Sequence, residues 1–116
     1  MTDLVGNTGT INVVDSIIFD RTAPTGIVIT APTTGSYIKG NPDIYTITWS
    51  TGTDANFGPS SILLEYSITN FVSTTNITTG TANNGSYAFM FPNTLNTFGK
   101  IRILATDLAG NSAYFT

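Results

Sequence analysis

The chain has 116 residues, 41% of them apolar and 9% charged, with four basic side chains against seven acidic ones and a net charge of −3. That apolar content suffices for one core without staples, and the charge is too sparse and too negative to hold phosphate backbones, so nucleic acid is not expected as a partner. Cysteine and histidine are both absent, which removes disulfides, thiolate metal sites and the usual nucleophilic triads. No stretch approaches the roughly 18 apolar residues of a membrane span, and no basic segment followed by an apolar one opens the chain. No membrane span is therefore expected, and any export signal is expected to lie outside this sequence.

Threonine (22), isoleucine (13), asparagine (11) and glycine (11) dominate. β-Branched residues favour pleated strands while Asn and Gly supply tight turns, and short runs of period-two alternation recur between turn residues, so the expected fold is an all-β sandwich. The first run, residues 10–19, places Ile11, Val13, Ile17 and Phe19 on one face, interrupted by Asp15. Asp20-Arg21-Thr22-Ala23-Pro24 reads as a linker. An edge strand follows over residues 26–30, with Ile27 and Ile29 on one face and Pro32 beyond it, where the lack of an N–H costs no ladder bond. Residues 44–50 form a central strand with Tyr45, Ile47 and Trp49 pointing inward. A loop is expected over residues 51–60, then a strand facing Trp49 in which Ile62, Leu64, Tyr66 and Ile68 alternate with Leu63, Glu65, Ser67 and Thr69. Residues 70–84 are polar, with Ile77 the main core candidate of a short edge strand. Tyr87, Phe89 and Phe91 alternate until Pro92, and Ile101, Ile103 and Ala105 follow Gly99. Residues 107–111 form a hairpin turn in which Gly110-Asn111 can take positive φ. The last strand starts at Ser112 with Ala113 and Phe115 facing in.

One octapeptide occurs twice: Thr2-Asp3-Leu4-Val5-Gly6-Asn7-Thr8-Gly9 and Thr106-Asp107-Leu108-Ala109-Gly110-Asn111-Ser112-Ala113. The offset of 104 residues (106 minus 2) reads as the period of a tandem array. The order of Ile47-Thr48-Trp49, Thr53-Asp54-Ala55-Asn56-Phe57-Gly58, Leu64-Glu65-Tyr66-Ser67, Gly85-Ser86-Tyr87, Phe91-Pro92, Ile101-Arg102-Ile103 and the repeated turn resembles the bacterial immunoglobulin-like repeats of large surface proteins and adhesins. That resemblance implies a seven-stranded sandwich related to fibronectin type III domains, extracellular or at the cell surface, strung as a stalk or carrying a binding surface. It implies no fixed ligand.

In this frame residues 1–20 form an N-terminal arm carrying the last strand of the preceding unit, and residues 21–116 form the sandwich with a shortened last strand. Exposed, the arm would leave several large apolar side chains in water, each worth roughly 1.5–3 kcal/mol when buried. Filling its own domain's groove would take the arm to the far end, roughly 33 Å away, whereas residues 20–25 span at most roughly 20 Å. The arm is therefore expected to act as a donor strand to another copy through Ile11, Val13, Ile17 and Phe19, beside Ala113 and Phe115 of the short last strand, giving head-to-tail contacts that do not close.

Other constellations have plainer readings beside the functional ones. Asp20, Asp54 and Asp107 with Asn56 and Asn111 suit a calcium site built from loops, but Asp107 and Asn111 also suit a hairpin turn held by side chain to backbone bonds, the favoured reading. Trp49, Tyr66, Tyr87 and Phe89 in phase with Ile47 and Leu64 are core rather than a sugar platform. Glu65, the only Glu, lies on the outward face of its strand, whereas a glycoside hydrolase needs two carboxylates across a cleft, and no enzyme is expected. The competing reading is a ligand-binding adhesin domain presenting residues 51–60 and 74–84 to a carbohydrate or surface receptor.

Overall fold

The alternating runs become seven antiparallel strands and no helix in a computed structural model that describes residues 17–54, 56–93 and 98–116. Strands β1 (Thr25–Ala31), β2 (Tyr45–Thr53) and β5 (Ser86–Phe89) form one sheet in the order β1-β2-β5. The other holds β4 (Thr75–Thr81), β3 (Phe57–Ser67), β6 (Lys100–Asp107) and β7 (Ser112–Phe115), in the order β4-β3-β6-β7. Ile47, Ile62, Leu64, Ile103 and Ala105 are fully enclosed between the sheets, joined by Ile27, Trp49 and Ile77. Each fully buried aliphatic among them contributes roughly 1.5–3 kcal/mol. The expected seven-stranded sandwich is the fold observed.

Two poles result. β1, β3, β5 and β7 begin at one end, here the entry pole, which carries the 17–24 segment and the β2–β3, β4–β5 and β6–β7 turns. The far pole carries the β1–β2, β3–β4 and β5–β6 connections. Toward that pole Tyr45, Tyr66, Phe89 and Phe91 interlock, with ring centroids 4.9 Å apart for Phe89 and Phe91 and 5.7 Å for Tyr66 and Phe91. Their edge-on geometry fits the quadrupole preference of aromatic pairs. Tyr87 packs on the core as well, so these aromatics are structural.

Several expectations need correction. The loop placed at residues 51–60 shrinks to 54–56, because Thr51 and Thr53 pair with Ile27 and Thr25 while Phe57 pairs with Asp107. Pro59 sits where the β3–β6 register shifts between Phe57 and Ile62, so its missing N–H costs no regular ladder bond. Gly52, with φ of +62°, is required there: a Cβ would collide with the Thr25 carbonyl. Ile68 is not an inward residue of β3 but half exposed, because the strand stops at Ser67. The Ser67 hydroxyl accepts from the N–H groups of Thr69 and Phe71, folding the chain into a turn. In the β6–β7 turn only Gly110 takes positive φ, at +90°.

Glu65 faces outward from β3 as expected, yet it is buried, 6% exposed. Arg102 of β6 pairs with its carboxylate across the ladder, and the guanidinium lies 4.6 Å from the Phe71 ring centroid and 4.2 Å from that of Tyr114. Two aromatic faces thus roof an ion pair on the outside of the sheet.

Candidate functional site

The entry pole gathers the side chains with chemistry. Asp20 comes from the linker, Asp54 and Asn56 from the β2–β3 turn, and Asp107 and Asn111 from either side of the β6–β7 turn. One carboxylate oxygen from each of Asp20, Asp54 and Asp107 lies within 4.8 Å of the others. Nothing local dictates that meeting, since the three residues are brought together only by closure of the sandwich.

The turn itself is local and follows from its residues. Asp107 Oδ1 accepts from the N–H groups of Ala109 and Asn111, both at 2.9 Å, and Gly110 N–H donates to the Asp107 carbonyl. Asn111 closes the loop with its amide, donating to Asp107 Oδ2 at 3.0 Å and, at 2.9 Å, to the carbonyl of Asp20. Asn56 donates to the Asp20 carboxylate at 2.7 Å, while its own N–H caps Asp54 Oδ1 at 2.7 Å. The side chain to backbone bonds expected of Asp107 are present, and the same residues also fasten the linker to the domain. Pro24, the last linker residue, is fully buried.

Burial alone would raise the Asp107 carboxyl, but hydrogen bonds from the Asn111 side chain and backbone and from the Ala109 N–H outweigh it and hold it below the ordinary carboxylate range. A depressed folded-state pKa stabilises the fold above the unfolded value, about 3.9, and that contribution is lost as pH falls through the folded value. The melting temperature is therefore expected to fall as pH drops from about 5 toward 3. Asp107→Asn, melted over the same range, should show a shallower fall; a variant as steep as the parent chain would place the acid sensitivity elsewhere.

As a donor set, the three carboxylates have the hard oxygen chemistry that calcium takes, and three of its six to eight ligands would come from them. Beside them opens a cleft of about 880 Å³, lined by Thr22, Thr53, Asp54, Phe57 and Asn83 among others. Asn83 has a structural duty there, which sequence reading missed: it accepts from Trp49 Nε1 at 2.8 Å and donates to the Thr51 carbonyl at 2.6 Å. Its place in an Asn-Asn-Gly turn signals a turn, not a cap on a core tryptophan 34 residues away.

The expected strand-contact residues are distributed differently. Ile11 and Val13 lie outside the described residues, whereas Ile17 and Phe19 form no strand and are 60% and 91% exposed. Ala113 and Phe115 sit on β7 opposite Ala105 and Ile103, half-buried, with Phe115 packed on the core. Comparison with protein-family models, curated proteins and solved structures finds no match for this chain.

Proposed function

We propose that this chain is a non-enzymatic structural module of an extracellular repeat or fibre protein, of the immunoglobulin-like kind its motif order resembles, assembled head to tail. The observation that carries this reading is the fastening of Asp20 by Asn111. The turn that marks the repeat's phase is the turn that grips the junction between units. A free spacer would need no such grip; a stalk that must hold its units in line does.

Strand complementation gives the contact a register. On the 104-residue offset Ile11 corresponds to Phe115, which lies opposite Ile103. Two residues on, Val13 falls opposite Ile101 and Val14 opposite Lys100. The β6–β7 ladder pairs Thr106 to Ile103 only, so Lys100, Ile101 and Arg102 have no ladder partner on that edge among the described residues. Sedimentation velocity tests the reading. The intact chain should form larger species as concentration rises, and a chain lacking residues 1–16 should stay folded and smaller. An intact chain that remains monomeric, with stability unchanged by the deletion, overturns it.

The cleft supports a second reading, because it brings residues 51–54 and 56–58 of one expected binding loop beside Asn83 of the other. Threonine hydroxyls, a carboxylate and the Phe57 ring suit a hydroxyl-rich ligand such as a carbohydrate. Glycan-array binding that is lost on substitution in the cleft but kept on deletion of the arm would favour that reading over the first.

A further inference from the structure

Five positions of the repeated octapeptide are identical in both copies, and four have evident duties or modest size in the turn. Asp107 caps it, Gly110 takes positive φ, Asn111 ties it to the linker, and Thr106 completes the β6–β7 ladder. Leu108 ties the turn to the Asn56 carbonyl by its N–H and lies over Gly58, yet this large apolar side chain, kept in both copies, is 72% exposed here. It borders Ile18 at the entry pole, and Ile18 is itself 72% exposed.

The same pattern holds for the whole surface. Ten of the twelve exposed large apolar side chains among the described residues lie at the two poles rather than on the sheet faces, where only Val28 and Tyr114 are found. Scattered exposed apolar residues are ordinary; their concentration at both ends marks contact surfaces. Ile17, Ile18, Phe19 and Leu108 mark the entry pole, and Tyr37, Val72 and Phe98 stand out at the far pole.

Charge divides the same way. The entry pole holds Asp20, Asp54 and Asp107 with Arg21, a sum of −2, and the far pole holds Lys39 and Lys100 with Asp43, a sum of +1. Arg102 and Glu65 satisfy each other between them. Opposite signs at opposite ends favour head-to-tail contact and oppose head-to-head contact.

We infer that the two poles are complementary docking surfaces, and that the occupant of the entry pole is the far pole of a second copy. This rests on the head-to-tail reading and goes beyond it by naming a contact separate from the donated strand. Chain direction agrees. β7 runs from the entry pole to the far pole, so residues 11–14, placed by the register above in the β7 part of another copy, reach that copy's far pole. Six residues on, Asp20 is pinned to the entry pole here, so Ile17, Ile18 and Phe19 lie between the two contacts. In a continuous array the short linker holds the two surfaces together at high effective concentration, so each contact can be weak by itself.

The test uses charge reversal in the intact chain, followed by sedimentation equilibrium from micromolar to millimolar concentration. Asp54→Lys alters only the entry pole, and the double variant Lys39→Glu with Lys100→Glu only the far pole. Each alone should associate at least tenfold more weakly than the unmodified chain. Mixed in equal amounts they retain one unaltered interface, the entry pole of the second against the far pole of the first. The mixture should therefore associate more tightly than either variant alone, chiefly as one-to-one pairs. Circular dichroism melting of each variant confirms that the altered side chains leave the fold intact. A variant that associates like the unmodified chain, a mixture that stays monomeric, or an unmodified chain monomeric up to millimolar concentration overturns the docking. Association that is lost on deletion of residues 1–16 yet indifferent to charge reversal sinks the docking while leaving strand complementation standing.

Discussion

Trp49→Ala is expected to destabilise the domain by about 3–5 kcal/mol, in the range of large aromatic truncations in a packed interior. Trp49 is 4% exposed and faces Ile62 and Leu64 territory across the core, so its removal leaves a cavity that two sheets pinned by long ladders cannot collapse to fill. It also frees Asn83, whose amide oxygen loses the indole N–H. The amide then holds the 82–85 turn to β2 through its bond to the Thr51 carbonyl alone. Two variants separate these losses. Asn83→Ala keeps the indole but removes both amide bonds and should cost about 1–2 kcal/mol, whereas Trp49→Phe keeps most of the volume and should fall between. Urea unfolding followed by fluorescence of the tyrosines, or by circular dichroism, reads all three. An Ala variant within about 1 kcal/mol of the parent would show that the tryptophan is not the keystone its burial indicates.

Arg102→Met is expected to cost about 3 kcal/mol, because it leaves the buried Glu65 carboxylate with no cation to answer it. Methionine keeps the length and apolar stem of arginine, so the loss reports on charge rather than on packing. Adding Glu65→Leu should recover most of it, since apolar replacement of a whole buried pair is commonly neutral or stabilising. The four chains form a thermodynamic cycle whose coupling energy isolates the pair. A double variant as unstable as Arg102→Met alone would mean that the arginine acts through its aromatic stacking and not through Glu65.

Strand positions with an apolar inward residue were legible in the sequence: Ile47 and Trp49, Leu64 and Tyr66, Ile101 and Ile103 all fall on the expected face. Even the polar β4 is found from Ile77 alone. Strand ends were not. Residues 51–53 and 57–60 carry Gly, Thr, Ser and Pro, which locally favour turns, and they are strand only because Thr25 and Asp107 lie alongside. Glu65 was misjudged for a related reason. Period two correctly places it outward, but its partner is Arg102, whose guanidinium is itself held against Phe71, at a positive φ of 64° in a turn, and against Tyr114 of β7, an arrangement that no periodicity encodes. At the candidate site the Asp107–Asn111 turn could be read from the repeat itself. Its meeting with Asp20, 91 residues away, could not be read, because only the closed sandwich sets those residues side by side.

The grip of Asn111 on Asp20 also decides how the molecule carries load. Pulled along its axis, the domain takes tension at the linker by the entry pole and passes it on from the far end of β7. β1 and β7 run in the same direction on opposite sheets, so their ladders to β2 and β6 are drawn lengthwise, with hydrogen bonds lying across the force. Such bonds must yield together and cannot be unzipped one at a time. The amide of Asn111, reaching from the β6–β7 turn to the linker backbone, shares the strain with the second sheet before β1 moves.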